Sequence, residues 1–325
     1  MKPLTFKILR ALADGEFHSG EKIAQALEIS RASVSLALQD VEEVGLQVHK
    51  VHGRGYRLAR PMQWLDVEKI RAALGRHARH FDIEIMESAE STNTLLLQKA
   101  ALDAPSGSVI AAEWQTHGRG RRGREWHAGL GGALMFSLLW RFPQGVGFLS
   151  GLGLAVGVAL LRTLQKLGAS DVQLKWPNDI LWRHHKLGGI LIELQGDALG
   201  PTAAVIGIGL NLNLPDSVRA KIDQAVSDVH SACGAPQERN AVFVMLLKEL
   251  DKVLTLFAKE GFAPLRAEWR AHHAYQGKNV TLRLGDGSSE HGSVVGVAED
   301  GALMLHTRTG TKRFHGGEIS LRAAR

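Results

Sequence analysis

The residue types best suited to chemistry are concentrated in residues 113–126, where four arginines alternate with three glycines before a tryptophan. Guanidinium groups bind phosphate or carboxylate oxygens in pairs, and glycine allows close backbone approach. Gly118, Gly120 and Gly123 also satisfy G-x-G-x-x-G, but no helix or ribose-binding acid is predicted after them, which excludes a dinucleotide site. We interpret the segment as an anion-binding loop. A solvated basic loop that adheres to nucleic acid is the alternative.

Other predicted strands deliver polar or small residues that could converge with this loop. Lys175 and Lys186 lie in apolar strand sequences, where a charge usually needs an anionic partner, although exposed lysines are an equal alternative. The remaining residues of this kind are Asn178, Asp179, Gly188, Gly189, Gly207 and Asn211. No P-loop or G-x-S-x-G elbow is present. Positioning and charge neutralisation are therefore the expected means of catalysis, as in forming an acyl-adenylate from a carboxylate and ATP.

The cluster Ser91-Thr92-Asn93 stands at the start of the predicted helix Leu95 to Leu102. Short hydroxyl and amide side chains at such a position cap the helix, and they can also contact a ligand. The residues alone favour capping.

A central region, residues 66–274, must position these side chains. Its predicted strands Ser108 to Ala112 and Ala133 to Arg141 flank the loop, and a buried helix is predicted from Phe148 to Leu167. The uncharged stretch 142–161 approaches the length of a membrane span, but its glycines and Pro143 favour a buried helix instead.

Residues 1–60 predict three short helices and a hairpin, the order of a winged helix-turn-helix domain. Ser30 to Val44 would be the recognition helix. The residues expected to contact DNA are Arg31, Ser33 and Ser35 on that helix and Lys50, Arg54 and Arg57 on the wing. A small helical packing module is the alternative.

Residues 275–325 change character, with short predicted strands from Val280 to Leu284 through Glu318 to Leu321, separated by Gly/Asp turns. This pattern predicts a small barrel of about five strands.

Composition fits a multidomain globular protein: 325 residues, 45% hydrophobic, with a net charge of +6 that suits phosphate ligands or DNA. The single cysteine, Cys233, and the absence of a signal-peptide pattern favour the reducing cytoplasm. The histidine pairs 184/185 and 272/273 lack a complete metal-ligand spacing, so exposed histidines are expected there.

Five ordered motifs make the chain resemble the bifunctional bacterial biotin protein ligases, which also repress the biotin operon. The motifs are Glu87…Ser91-Thr92-Asn93, Gly118-Arg119-Gly120-Arg121-Arg122-Gly123-Arg124 with Trp126, Lys175-Trp176-Pro177-Asn178-Asp179, Lys186-Leu187-Gly188-Gly189-Ile190, and Gly207-Ile208-Gly209-Leu210-Asn211. The N-terminal segments Phe17 to Glu21 and Gly53 to Tyr56 and the C-terminal segment Gly316 to Arg322 extend the resemblance over essentially the whole chain.

The resemblance implies an α+β multidomain fold with a winged helix-turn-helix domain (1–60), a mixed-sheet α/β ligase domain (66–274) and an SH3-like C-terminal domain (275–325). It implies catalytic roles for Lys186, Arg119 and Asp179. Biotin would be bound by Ser91, Thr92, Asn93, Gln115, Gly118, Arg119, Gly120, Arg121, Lys186, Gly189 and Gly207. ATP or the adenylate would be bound by Arg121, Arg122, Arg124, Trp126, Lys175, Asn178 and Asn211, with Asp179 also serving Mg²⁺.

The implied reaction joins biotin and ATP to biotinyl-5′-AMP and then transfers biotin to a lysine of the biotin carboxyl carrier protein. No permanently bound cofactor is expected beyond the substrates ATP, Mg²⁺ and biotin. Operator DNA and a second copy of the chain, in an adenylate-bound homodimer, are the other implied partners, with no membrane. The alternatives are a biotin-sensing DNA-binding regulator without ligase activity and, less favoured by the Arg/Gly loop, a lipoate or octanoyl transferase.

Overall fold

The computed structural model describes residues 1–197, 199–315 and 320–323. Its N-terminal part contains helices α1 (Pro3–Ala11), α2 (Gly20–Ala26) and α3 (Arg31–Ala37), followed by the antiparallel hairpin β1 (Val48–Val51) and β2 (Gly55–Leu58). The helix-helix-helix-hairpin order predicted from the sequence is confirmed. Ring and aliphatic side chains from all three helices and the hairpin share one core.

The recognition helix is shorter than predicted. Ser30 caps α3 by accepting a hydrogen bond from Ser33 N, but the α-helix ends at Ala37 instead of Val44. The residues that follow turn, and then form a separate 3-10 segment, Val41–Val44, which ends at Gly45 with φ +85°. The acidic residues of that segment are therefore off the axis of the recognition helix.

The central part is a seven-stranded mixed sheet in the order β3-β4-β5-β9-β8-β7-β6. Only β3 and β4 run parallel, and the remaining neighbours are antiparallel. The strands are β3 (Asp82–Ala89), β4 (Ser108–Gln115), β5 (Ala133–Phe142), β6 (Val172–Lys175), β7 (Asp179–Trp182), β8 (His185–Gly196) and β9 (Thr202–Asn211).

The helices of this part are α4 (Val67–Leu74), α5 (Thr92–Ala101), α6 (Leu152–Lys166), α7 (Asp216–Arg219), α8 (Val229–Cys233), α9 (Arg239–Glu260) and α10 (Arg266–Ala271). Short 3-10 segments lie at Gly75–His80, Arg121–Gly123, Val146–Leu149 and Ala263–Leu265. Apolar faces of α4, α6 and α9 pack with the sheet into the largest core. Helix α5 contributes to a smaller cluster that includes Leu96, Ile110 and Leu139.

Helix α6 is the element whose apolar composition resembles a membrane span. By length and composition alone, the stretch Val146–Lys166 could cross a bilayer. Most of it is buried inside the protein, however, and Gly151 with φ +86° separates its 3-10 beginning from α6. The prediction of a buried core helix is confirmed, although the α-helix begins later than expected.

The C-terminal part is an antiparallel sheet in the order β13-β12-β11-β10-β14. Its strands are β10 (Asn279–Arg283), β11 (Ser289–Val297), β12 (Leu303–Thr307), β13 (Gly310–Phe314) and β14 (Ser320–Ala323). The predicted number of strands is confirmed, and β13 and β14 form the edges of the sheet. Residues 316–319 of the motif Gly316 to Arg322 lie outside the described residues.

A buried ion pair fixes the link between the N-terminal and central parts. Glu113 on β4 and Arg239 at the start of α9 are almost completely buried and hydrogen-bonded to each other. Glu113 also accepts from the backbone N–H of Leu65 at 2.7 Å, and Arg239 donates to the carbonyls of Gln63 and Ala133 at 3.2 and 2.9 Å. One pair of charges therefore holds the segment Gln63 to Leu65, which follows the N-terminal part, against the strands that flank the Arg/Gly loop.

Candidate active site

The Arg/Gly loop and the ends of several strands enclose an open cleft. The sequence-predicted residues that line it are Ser91, Thr92, Asn93, Gln115, Arg119, Gly120, Arg121, Arg122, Arg124, Trp126, Lys175, Asn178, Asp179, Lys186, Gly189 and Gly207. Residues separated widely in the sequence thus converge, which the sequence had left open.

Sheet register explains this convergence. Asp179 on β7 pairs with Gly189 on β8, which pairs with Gly209 on β9. Two positions along, Gly207 pairs with Ser137 on β5. Because paired residues project to the same face of a sheet, these rows place a carboxylate, glycines and a hydroxyl on the floor of one cleft.

One end of the cleft is a buried cradle of short polar side chains at the start of α5. Ser91 caps that helix, and Thr92 donates its backbone N–H to Gln115 Oε1 at 2.8 Å. Ser137 Oγ lies 2.7 Å from Thr92 Oγ1 and donates to Asn93 Oδ1 at 2.5 Å. The cradle offers donors and acceptors in fixed positions, as recognition of a small polar ring requires.

Gly207 belongs to this cradle because it has no side chain. A Cβ atom at this position would stand 2.3 Å from Asn93 Oδ1. Any larger residue would therefore displace the Asn93 amide, so glycine here is a steric requirement of the cradle.

Arg119 reaches the cradle from the loop. Its Nη2 donates to Thr94 Oγ1 at 2.8 Å and lies 3.7 Å from Glu193 Oε1. Glu193 also accepts from Asn93 Nδ2 at 2.8 Å, so it connects the loop to the polar cradle. Arg119 is thus placed where a cation can meet an anionic group at the edge of the cradle.

The other end of the cleft contains a charge cluster centred on Asp179. Lys186 Nζ lies 2.8 Å from Asp179 Oδ1, and Lys175 Nζ lies 4.0 Å from Asp179 Oδ2. The three side chains are each less than a quarter exposed. Both lysines therefore have an anionic partner and face the cleft, so neither is the ordinary exposed lysine that the sequence had left as an equal alternative.

Arg121 adds positive charge beside Asn178 and Asp179. Its Nη1 donates to Asn178 Oδ1 at 3.3 Å, and Nη2 is buried with no hydrogen-bond partner among the described residues. Burial lowers the pKa of the guanidinium from its usual value, against the opposing charge of Asp179. An unpartnered buried guanidinium nitrogen aimed into a cleft is suited to an anionic ligand.

Trp126 closes the loop over the sheet. A Cβ at Gly209 would stand 2.6 Å from the indole ring, so only glycine lets the ring lie against this strand. Lys186 Nζ is 5.8 Å from the ring centroid, within cation–π range. The indole therefore covers the site of the charge cluster.

The loop itself is an irregular hairpin. Gly120 N donates to Arg124 O at 2.7 Å, and Trp126 N donates to Gly118 O at 2.8 Å. Arg122, with φ 59°, and Gly123, with φ +70°, form its left-handed tip. The strand β5 follows the loop, as predicted, at the place where a dinucleotide motif requires a helix.

Two predicted site residues do not line the cleft. Gly118 belongs to the loop hairpin, where its carbonyl accepts a hydrogen bond from Trp126 N. Asn211 is buried, and its Nδ2 donates to Ser227 O at 3.1 Å. The predicted ligand contacts of these two residues stay predictions. In the structure both residues make hydrogen bonds within the protein.

Sequence reasoning missed Ser137 and Glu193, although both carried a signal. Ser137 is a single hydroxyl within the buried apolar strand β5, where an unpaired polar group is costly. Glu193 follows an apolar run in β8. Neither residue could be assigned to the cradle without knowing the register between β5, β8 and β9.

The predicted DNA-contacting residues lie on adjoining surfaces of the N-terminal part. Lys50 Nζ on the wing is 3.5 Å from Ser35 Oγ on α3, and Arg54 and Arg57 both lie over the ring of Phe17. Arg31 is exposed, whereas Ser33 is half-buried and bonded to the Ser30 cap. The wing and α3 therefore form one continuous surface.

The matches to protein families follow these three structural parts. Residues 5–57 match a helix-turn-helix domain, residues 85–213 the Biotin/lipoate A/B protein ligase family, and residues 275–322 the Biotin protein ligase C terminal domain. The fold and the cleft therefore define a ligase of the biotin/lipoate class that carries a DNA-binding type of domain.

Relatives that align over nearly the whole chain identify a narrower family within this class. The chain is 36% identical to the bifunctional ligase/repressor BirA of Escherichia coli over 98% of this chain and 97% of the relative, and 30% identical to BirA of Bacillus subtilis over 95% of each. A biotin protein ligase of Aquifex aeolicus, solved with biotin and ATP, superposes with a TM-score of 0.64 at 28% identity, covering 75% of this chain and 99% of that one. The chain belongs to the family of bifunctional biotin ligase/repressors.

Proposed function

We propose that this chain is an ATP-dependent, AMP-forming biotin protein ligase that also represses transcription. In the first half-reaction a biotin carboxylate oxygen attacks the α-phosphorus of ATP, pyrophosphate leaves, and biotinyl-5′-AMP forms. In the second, a lysine amine of the biotin carboxyl carrier protein attacks the acyl carbon and AMP leaves. The observation that carries this proposal is the convergence of Arg119, Arg121 and Lys186 on one cleft beside a buried polar cradle.

The residues divide into two groups by their position. The cradle of Ser91, Thr92 and Asn93, with Gln115 and Gly207, is assigned to the ureido ring of biotin because it offers paired donors and acceptors in a buried setting. Gly120 and Gly189 are assigned to the walls of the biotin site, and Gly118, which does not line the cleft, is assigned to the loop hairpin that supports it.

The charge cluster is assigned to the reacting atoms. Lys186 and Arg119 neutralise the carboxylate and α-phosphate as negative charge develops between them, and Arg121 binds the same phosphate. The remaining ATP-site assignments are Arg122, Arg124, Trp126, Lys175, Asn178 and Asn211. Trp126 covers the adenine and excludes water from the anhydride.

Mg²⁺ suits this cluster as part of Mg·ATP. Asp179 and Asn178 would hold the ion, because they present carboxylate and amide oxygens, the ligand types that Mg²⁺ takes from proteins. Both oxygens are already paired, to Lys186 and Arg121, which favours an ion that arrives with the nucleotide. When bound, the ion shields the phosphate charges, while Asp179 holds Lys186 in place.

The other assignments follow from the domain order. We assign 1–60 to operator binding, 66–274 to biotin and ATP, and 275–325 to an SH3-like domain. Arg31, Ser33, Ser35, Lys50, Arg54 and Arg57 are assigned to operator contacts. The adenylate-bound form is assigned as a homodimer, and the protein is placed in the cytoplasm without a membrane partner.

The ligase assignment is tested with the full-length protein, biotin, Mg·ATP and a biotin carboxyl carrier domain. The wild-type chain should label the carrier, and Lys186→Ala should reduce turnover on the order of 100-fold to 1000-fold. Lys278→Ala, which removes an exposed lysine outside the cleft, is the matched control and should label normally. If the wild-type chain labels no carrier, the ligase assignment is wrong, and the alternative of a biotin-sensing regulator without ligase activity is favoured.

Repression is tested by gel shift on the promoters of the organism's own biotin genes, with and without biotinyl-5′-AMP. A specific, salt-sensitive shift that the adenylate strengthens is expected, because phosphate contacts release counterions. Arg54→Ala should weaken it. If neither sequence preference nor salt dependence is observed, residues 1–60 are a packing module.

A further inference from the structure

A cluster of two histidines and one aspartate lies outside the cleft. His77 Nδ1 is 2.7 Å from Asp251 Oδ2, and His80 Nδ1 is 2.9 Å from the same oxygen. Asp251 is buried on α9, whereas His77 is half-buried and His80 is partly exposed. A single ligand atom from each of the three residues lies within 4.8 Å of the others.

Local geometry produces this cluster from the sequence His77-Ala-Arg-His80. The residues belong to the 3-10 segment Gly75–His80, in which side chains three positions apart project in the same direction. Both imidazoles therefore face α9, where Asp251 stands 171 positions further along the chain than His80. Among the residues that the structure describes, these three side chains bring their possible ligand atoms close enough together to hold a metal ion.

We propose that His77, His80 and Asp251 form a binding site for a divalent cation of the zinc type. Two imidazole nitrogens and one carboxylate oxygen are a ligand set that Zn²⁺ accepts, with water in the fourth position. The set contains too few oxygens for Ca²⁺ and no thiolate for a soft ion such as Cu(I).

The two nitrogen–oxygen distances need only a small adjustment. Ligand atoms around a tetrahedral zinc ion stand about 3.3 Å apart, since each bond is about 2.0 to 2.1 Å. The nitrogen–oxygen distances of 2.7 and 2.9 Å would therefore widen by about half an ångström. The partly exposed His80 can make this movement without disturbing the core.

Arg79 should weaken metal binding at this site. Its Nε donates to His80 Nε2 at 3.1 Å, which keeps the His80 proton on Nδ1, the atom that would bind the metal. Coordination through Nδ1 moves the proton to Nε2, and the exposed Arg79 must then turn toward water. Removing Arg79 therefore relieves a competing hydrogen bond and a nearby positive charge, and it should tighten metal binding.

The site would tie the segment that follows α4 to the middle of α9. Metal binding between elements so distant in sequence stabilises the folded state, since the unfolded chain cannot present the same ligands together. This consequence can be measured without biotin, ATP or a carrier protein, so its failure is distinct from failure of the ligase assignment.

The test uses the full-length protein, freed of metal by a chelator and titrated with zinc chloride alone. One tight zinc equivalent is expected for the wild-type chain, and the melting temperature should rise by roughly 5 °C when free zinc is about 100 times Kd. Binding to His77→Gln/His80→Gln should be weaker on the order of 100-fold. His291→Gln/His306→Gln, two exposed strand histidines, is the matched control and should keep both effects.

Two further variants separate a metal site from a hydrogen-bonded network. Arg79→Ala should bind zinc several-fold more tightly, and Asp179→Asn, altered in the cleft, should bind it unchanged. Co²⁺ should give the visible absorption of a nitrogen-ligated tetrahedral site in the wild-type chain and not in the double histidine variant. Equal zinc affinity in the wild-type chain and His77→Gln/His80→Gln would overturn the proposal, leaving a histidine–aspartate hydrogen-bond network.

Discussion

Lys186 Nζ lies 2.8 Å from Asp179 Oδ1, although one residue stands on β8 and the other on β7. The carboxylate also attracts Lys175 at 4.0 Å, so it orients two cations toward one cleft. Removal of its charge would leave two neighbouring lysines without this anion between them.

Asp179→Asn should therefore lower the rate of adenylate formation on the order of 100-fold, because Lys186 loses its orientation as charge develops. Single-turnover formation of the adenylate measures this effect. Asp197→Asn, an exposed change outside the cleft, is the control. An unchanged rate in Asp179→Asn would show that Lys186 is positioned by other contacts.

Removal of one partner of the buried Glu113–Arg239 pair should be strongly destabilising. Glu113→Gln leaves a buried guanidinium without its counter-charge, which costs about 3 to 5 kcal/mol. Urea unfolding measures the loss. Glu268→Gln, which breaks the partly exposed pair between Arg162 and Glu268, should cost only about 1 kcal/mol. Similar losses in the two variants would contradict this ranking.

The prediction of exposed histidines is wrong for His273, which is buried against Trp269, and this residue should make stability depend on pH. Burial lowers its pKa to about 4 from 6.5. Between these values the unfolded chain binds the proton and the folded chain does not, so stability falls as pH drops through 6.5 and the loss levels off near pH 4.

From pH 7.5 to pH 5 this residue should reduce the free energy of unfolding by about 2 kcal/mol. His273→Phe keeps an aromatic ring beside Trp269 and should remove that part of the pH dependence. Unfolding curves at both pH values provide the measurement. The same pH dependence in the variant and the wild-type chain would assign the effect to other groups.

Leu130 should couple the ligand loop to the DNA-binding part. It follows the Arg/Gly loop, is buried in the N-terminal core, and its N–H donates to Val44 O at 2.9 Å. Leu130→Ala should weaken the adenylate's effect on operator binding while leaving adenylate formation largely intact.

Gel shifts with and without biotinyl-5′-AMP measure this coupling. Leu139→Ala creates a comparable cavity, at a cost of about 2 to 5 kcal/mol, in a cluster whose described members all belong to the central part. It should leave the adenylate response unchanged. An intact response in Leu130→Ala would exclude this contact as the route of coupling.

The sequence predicted most elements of the fold, because each has a local signal. Asp66 caps α4 by accepting from Glu68 and Lys69, and Gly45 ends the 3-10 segment in the left-handed region, as those residue types favour. The end of α3 was missed because Leu38 and Val41 continue an apolar helical spacing although the backbone turns between them.

The sequence predicted the site through its loop and motifs. The side chains that pack against those motifs could be identified only from the tertiary structure. Ser137 and Glu193 enter the cradle through strand register, and Asp251 meets His77 and His80 only because α9 packs on the 3-10 segment. Such contacts join residues tens to hundreds of positions apart, and no local pattern encodes them.

Biotin-dependent exchange of labelled pyrophosphate into ATP tests the central claim most directly, because it follows the first half-reaction without a carrier protein or DNA. The account predicts exchange by the wild-type chain with biotin, little exchange with lipoate, and a loss on the order of 100-fold or more in Lys186→Ala, with Lys278→Ala unaffected. No biotin-dependent exchange by the wild-type chain, or full exchange by Lys186→Ala, would contradict it.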